Sequence, residues 1–496
     1  MVEPQPYTAV CSEISEVRLN MTDQEFDVVV VGGGVGGVAA VRNLASAGLS
    51  VALVEDRLVG GECRYWACNP TRTLVRPIEV FNLAKAVPGV REAVSGEGLD
   101  VAAVFAKRDA IVEHLSDQSQ VSSLRRAGVA VFHGFGRLAG HRTVRVTTAE
   151  NTEAVLTARH AVVVATGTRP NVPEVAGLAH ARPWTNRDVA TMTQVPPRAL
   201  LVGGGVVGVE FATILAGLGS AVTLLVRGES LLHNCEPEAG ELVEQSLRSK
   251  GVKIHFDTEL SAVARPAAGG PVTATFHQQT VEVDEIVLAT GRRVNTDNIG
   301  LETVGLPVGG FVSVNDHLQA IGVTDGWLYA VGDTTGRALL SHISTYHGRV
   351  VADIIAARAA GRELSENELS VRDSGSVAQV IFTDPQVAEV GRTESQARAA
   401  GFSVRTRTAR YPEAVSRLAL FRDGFEGWAK LVIDAATNTL LGATFVGPEF
   451  SELVQAATVA VVAKVPTGLL RHAVAPHPTV NQVWDPLLAE EPELVH

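Results

Sequence analysis

Cysteine is scarce in this chain of 496 residues, with four copies, at positions 11, 63, 68 and 235. So few exclude a secreted disulfide scaffold, and a close pair among them is catalytic or metal-binding before it is structural. Long apolar runs are also missing. None reaches the roughly 18 residues needed to span a bilayer. The first 25 residues carry Glu3, Glu13, Glu16 and Asp23 and no signal-peptide apolar core. The protein is therefore expected to be cytoplasmic and away from membranes. Clustered positive charge is lacking too: the formal charge is −12 and the 42 lysines and arginines are scattered. Without a basic stripe to grip phosphate backbones, nucleic acid is excluded as an expected partner. What is present, 46% hydrophobic and 19% charged residues, is ordinary for a globular α/β protein. The length implies about three domains.

Residues 1–24 are polar and aperiodic and read as a flexible N-terminal extension. Beyond them apolar strands alternate with helical stretches, the pattern of a parallel sheet covered by helices. One signature occurs twice, as VVVVGGGVGGVAAVRNLASAGLSVALVED over 28–56 and ALLVGGGVVGVEFATILAGLGSAVTLLVR over 199–227. A glycine triplet is weak evidence alone, but each copy follows a buried strand and opens a helix, as a dinucleotide-binding turn must. Gly32 supplies the tight turn, Gly34 lets backbone approach a pyrophosphate, and Gly37 lets helix and strand pack closely; Gly203, Gly205 and Gly208 repeat these roles. The phosphates then sit at a positive helix terminus. The first unit's second strand ends in Glu55, where a carboxylate can accept from a ribose 2′-hydroxyl, as suits the AMP half of FAD. The second unit ends in Arg227, with no acid and His233 nearby, which points to a 2′-phosphate and so to NADPH, with NADH the alternative.

Residues 60–72, GGECRYWACNPTR, hold two cysteines five positions apart. In an ideal helix those Cα atoms lie roughly 8.6 Å apart, beyond the roughly 7 Å limit for a bridge. A disulfide between Cys63 and Cys68 would require a distorted helix, and distortion makes a bridge easier to reduce. Without a nearby histidine or second cysteine pair the two do not make a four-ligand zinc site, so no metal is expected.

In order, the glycine fingerprint, GGxCxxxxCxP, ATG (165–167), the second fingerprint, ATGRRVN (289–295), LYAVGD (328–333), VIFTDPQVAEVG (380–391), LGATFVGPEFSELVQ (441–455) and APHPT (475–479) resemble the glutathione reductase and dihydrolipoamide dehydrogenase family. These are the class I pyridine nucleotide-disulfide oxidoreductases, and the chain looks like an atypical member. The resemblance implies an α/β fold of two Rossmann-like domains plus an α+β C-terminal dimerisation domain. FAD would be bound by 25–170 and 292–365, NAD(P) by 171–291, and a homodimer would form through 371–496. It implies cofactor contacts at Gly61, Thr166, Gly167, Gly291, Arg292 and Asp333, and Glu210 facing Arg72 beside the flavin. Cys68 would lie against the flavin and Cys63 would be the outer thiol. His477 would enter the partner's site as acid and base, supported by Gln482.

Four departures separate the chain from that pattern. Gln482 replaces the family's glutamate five residues after the histidine, and a neutral amide orients an imidazole without stabilising imidazolium as a carboxylate does. Glu62 stands where threonine is usual, near the pyrophosphate, and is electrostatically odd unless it faces elsewhere. Asn69 and Arg72 replace an apolar residue and a lysine, and bulky Tyr65 and Trp66 fill the redox loop. The C-terminal EEPELVH lacks a cysteine pair, unlike mercuric reductase, and no arginine cluster for glutathione can be read. Arg227 and Gln482 disfavour dihydrolipoamide dehydrogenase. The leading expectation is NADPH-dependent reduction of a small-molecule disulfide. Oxidation of a dithiol in the reverse direction and a nucleotide-sensing flavoprotein are the alternatives.

Overall fold

The computed structural model describes residues 23–489 apart from 97, 268, 364 and 366–369. The N-terminal extension expected at 1–24 lies, but for its last two residues, outside them. Strands Val51–Glu55, Gln24–Val31 and Glu153–Val164 run parallel at the centre of a seven-stranded sheet. Val28, Val29, Val30, Val51, Ala52 and Leu53 are wholly buried. Both faces of the sheet are covered, so these strands read as unbroken apolar runs rather than as alternation. Leu328–Ala330 returns late in the chain to pair with Val162–Val164, which brings Asp333 to the same sheet edge as the first glycine turn.

Helix Val35–Ser46 crosses helix Ser341–Ala359 at glycine contacts. A Cβ on Gly348 would lie 2.3 Å from the Gly36 carbonyl oxygen, so only glycine permits this approach. Ser341 and Arg349 are thereby set beside the first turn. A second parallel sheet of four strands, ordered Lys253–His255, Ala221–Leu225, Arg198–Val202 and Glu285–Leu288, carries the second glycine turn. An antiparallel three-stranded sheet (Ala262–Ala264, Val272–Phe276, Gln279–Val283) flanks it. The C-terminal part is an antiparallel five-stranded sheet, from Ala378–Ile381 to Val404–Tyr411 at its edges, with its own core around Phe445, Phe450 and Leu431. The expected α/β architecture, two Rossmann-like units followed by an α+β unit, is the observed one.

Candidate active site

Gly32, Gly34, Glu55, Gly61, Cys63, Thr166, Gly167, Arg292 and Asp333, separated in sequence by up to three hundred residues, line one cavity of about 400 Å³. The turn at its floor has no room for side chains at two positions. A Cβ on Gly32 would lie 2.3 Å from the Ala165 carbonyl oxygen, and one on Gly37 1.9 Å from that of Gly32. Gly34 differs, since nothing lies within 4 Å of its Cβ position, and it faces into the cavity. The Glu55 carboxylate accepts from Gly33 N (2.6 Å) and Arg57 N (2.9 Å). Burial, reinforced by Asp56, nevertheless pushes this carboxyl up to about 7. Thr168 Oγ1 donates to Asp333 Oδ2 (2.6 Å), and Arg292 Nε donates to Thr168 Oγ1 (2.6 Å). Thr166 Oγ1 is buried with no hydrogen-bond partner, an orphan that a ligand in this cavity would satisfy.

The helix predicted to be distorted is broken in two. Gly61–Tyr65 ends at Trp66 (φ −135°, ψ 1°), Ala67 leaves helical geometry (φ −136°, ψ −105°), and Cys68 opens helix Cys68–Ala86. Asn186 holds the break, donating to the freed Trp66 carbonyl (2.8 Å) and to Glu62 (2.9 Å). The break brings the two cysteines close enough for their thiols to interact. The hydrogen bond from Cys63, with help from Ser341, lowers Cys68 to about 6 against the opposing effect of burial, and the same bond together with burial pushes Cys63 upward. Cys68 Sγ lies 3.1 Å from Ser341 Oγ. Cys63 lines the cavity directly, whereas Cys68 meets it through Ser341.

The second turn copies the first: a Cβ on Gly203 would meet the Ala289 oxygen at 2.3 Å and one on Gly208 the Gly203 oxygen at 1.8 Å, while Gly205 is open. Gly291, with φ +98°, sits at the end of the neighbouring strand. Arg227 lies exposed two residues past strand Ala221–Leu225. Two expected residues make other contacts. Arg72 pairs with Glu79 (2.7 Å) and stacks on Phe382 at 4.2 Å. It forms no ion pair with Glu210 among the described residues. Glu210 instead accepts from Phe382 N (2.8 Å), and burial pushes it up to about 7. Glu62 lines the cavity and is matched there by arginines: Arg187 grips it (Nε 2.7 Å) while stacking on Trp66 at 4.5 Å, and Arg292 lies 3.9 Å away. His477 is exposed, its Nδ1 3.0 Å from the Oε1 of buried Gln482, and it lines neither cavity that reaches Cys63.

The family profile described as pyridine nucleotide-disulphide oxidoreductase matches residues 26–361, and the dimerisation domain of the same family matches 377–487. The chain belongs to this family. It is 32% identical over 465 residues to a mercuric reductase of Streptomyces lividans, covering 92% of this chain and 94% of that one. It is also 32% identical over 470 residues to a dihydrolipoyl dehydrogenase of Thermus scotoductus, covering 92% and 95%. Among solved structures, the HOCl-induced flavoprotein disulfide reductase RclA from Escherichia coli shares the fold with a TM-score of 0.79 at 24% identity, covering 94% of this chain and 99% of that one. Equal identity to two activities selects neither substrate.

Membership makes the chain an FAD-dependent oxidoreductase that also binds a pyridine nucleotide. The first cavity fits FAD: the Glu55 carboxylate stands where ribose hydroxyls would donate to it, open Gly34 leaves room for the pyrophosphate, and orphaned Thr166 and Asp333 lie further along. The sequence did not single out Ser341, Asn186, Arg187 or Thr168. Thr168 directly follows the ATG at 165–167, whereas Ser341, Asn186 and Arg187 reach the site from segments with no motif of their own. The same is true of His347, which accepts from Gly332 N (3.2 Å) and pairs with Asp373 (2.8 Å), fixing the Asp333 turn.

Proposed function

We propose that this enzyme reduces a small-molecule disulfide with NADPH, through FAD and the Cys63/Cys68 pair, as a cytoplasmic homodimer. The observation that carries the reading is the broken helix, which holds one thiol pair against the FAD cavity. FAD, when bound, would relay an electron pair from the reduced nicotinamide to the cysteine bridge. Cys68 then holds negative charge, aided by Ser341, while Cys63 carries the proton. Cys63 must lose that proton before its sulfur attacks the substrate disulfide, because the thiolate is the nucleophile. The attack forms a mixed disulfide and expels one thiolate, which takes up the proton. Cys68 then displaces the second thiol and restores the bridge. In sum, NADPH, one proton and a disulfide give NADP⁺ and two thiols.

His477 is the base we assign, since imidazole exchanges protons near neutral pH. It is exposed and away from Cys63 in its own chain, so a second copy would complete the site, in keeping with the dimerisation domain at 377–487. The exposed Arg227, with no carboxylate at that strand tip, supports NADPH over NADH. Among the described residues no helix is long and apolar enough to cross a membrane. The test is an anaerobic NADPH titration of wild type and Cys63→Ser with thiol counting after acid quench. We expect four electrons per flavin and two new thiols in wild type, and two electrons with no new thiols in the variant. Two-electron uptake by both would end the reading.

A further inference from the structure

We infer that Glu62 makes the flavin an exchangeable cofactor: its carboxylate holds the arginines that a diphosphate would otherwise take, so occupancy follows the free FAD concentration. The inference concerns the cofactor and is independent of the substrate the enzyme reduces. A Cβ on Gly61 would lie 2.7 Å from the Cα of Gly34, so the chain passes directly over the open position of the first turn. Glu62 is the next residue and lines the same cavity. The diphosphate that Gly34 admits is therefore met by a carboxylate, where the family usually offers a neutral threonine.

The cavity's cations are already engaged. Glu62 Oε1 accepts from Arg187 Nε (2.7 Å) and from Nη2 of the same guanidinium, and Oε2 accepts from Asn186 Nδ2 (2.9 Å). Arg292 Nη2 lies 3.9 Å from Oε2 and also donates to the Thr168 carbonyl (2.8 Å). The other two arginines that line the cavity face carboxylates as well: Arg169 pairs with Asp297, and Arg57 lies 3.9 Å from Asp56. A guanidinium fork takes carboxylate or phosphate, and a bond made to one is lost to the other. To pair with a diphosphate, Arg187 must leave both Glu62 and the Trp66 ring it stacks on. If it stays, Glu62 and the phosphates stand together in one partly buried place. Burial already pushes the Glu62 carboxyl upward, so its charge is poorly solvated before a second anion arrives. One unit charge misplaced in this way weakens binding by about tenfold or more.

The test is equilibrium dialysis of the holoenzyme against graded FAD, with bound flavin read by absorbance. Glu62→Gln keeps an acceptor for Arg187 and loses the charge, and should lower the Kd for FAD about tenfold or more. Glu62→Asp keeps the charge and should stay within about threefold of wild type. A Kd unchanged or raised in Glu62→Gln overturns the inference. Equal tightening in Glu62→Asp also overturns it, because the charge is then not what weakens binding. Should Glu62→Gln fail to fold, Glu62→Thr takes its place with the same expectation. The wild type gives an answer that needs no variant: dialysed overnight against charcoal at neutral pH without denaturant, it should lose most of its flavin and regain it when FAD is added. Flavin retained through that dialysis overturns the inference. These readouts count bound flavin rather than turnover, so failure of the reductase reading would leave them unchanged.

Discussion

In the first glycine turn a Cβ on Gly32 would lie 2.3 Å from the Ala165 oxygen, and in the second a Cβ on Gly203 would lie 2.3 Å from that of Ala289. The third glycines agree as closely, at 1.9 and 1.8 Å. The backbone problem is the same in both places and so is its solution. The difference lies at the strand tips: Glu55 is 9% exposed and tied to two backbone N–H groups, whereas Arg227 stands in solvent. Steric demands on a turn are absolute and leave glycine no substitute, while ligand identity is set by one side chain that can vary freely. The two cradles are thus alike where packing rules and unlike where recognition rules.

The comparison is broken most directly at the third glycines. Gly37→Ala forces a methyl into the Gly32 carbonyl, with backbone on both sides and nothing flexible to yield. The cost should reach about 3 kcal/mol, and the purified protein should lose its flavin absorbance and melt several degrees lower. Gly208→Ala meets the same clash in the other cradle. It should keep its flavin while losing reduction by NADPH. If Gly208→Ala also emerges without flavin, the two cradles do not act as separate sites.

The next effect belongs to Glu55 alone. Its folded carboxyl titrates at about 7 against a reference of 4.5. A carboxyl raised on folding binds its proton more tightly in the native state, so its contribution is fully present below 4.5 and is lost as pH rises through 7. For the flavin-free protein this amounts to about 3 kcal/mol across that window. Glu210 and Glu389 are also raised to about 7, so the measurement is the difference between wild type and Glu55→Gln in denaturant melts from pH 4.5 to 7.5. A difference that does not change with pH would show that Glu55 stays ionised in the fold. At Arg227 the loss is one of recognition. Arg227→Glu should lower kcat/KM for NADPH by about ten- to a hundredfold and leave NADH equal or better. An equal loss for both coenzymes would remove Arg227 from the phosphate site.

Much of this was legible from local pattern. The two turns, Glu55 and the helix break between Cys63 and Cys68 each follow from spacing within about thirty residues, because backbone geometry enforces them. What escaped was joined over distance. Glu62 meets Arg187 and Asn186 from more than 120 residues away. Arg72 lies near enough to act on Glu210 but pairs with Glu79, a carboxylate two turns along its own helix. Arg42, Arg64 and Arg349, which line the second cavity that reaches Cys63, come from helices beginning at 35, 61 and 341. No cluster could be read because none exists until the glycine crossing forms. Motifs record the constraints a segment places on itself, whereas charge clusters record how segments meet.

The contrast between a site with a carboxylate and a site without one recurs at His477. Its Nδ1 faces a neutral amide, Gln482, at 3.0 Å, and Gln482 is 6% exposed. The amide holds the ring in place but brings no charge to stabilise imidazolium. Gln482→Glu would add that charge at the same position, and the limb of the pH–activity profile that reports the imidazole should move upward by about one pH unit or less. Rates at pH 7 should change by no more than several-fold, since a partly exposed pair is screened by solvent. Gln482→Ala separates orientation from charge: it should lower kcat without moving the limb, because the ring loses its anchor but its electrostatic surroundings are the same. If Gln482→Glu leaves the profile where it was, the histidine that serves Cys63 is not governed by this contact, and the proton must leave by another route.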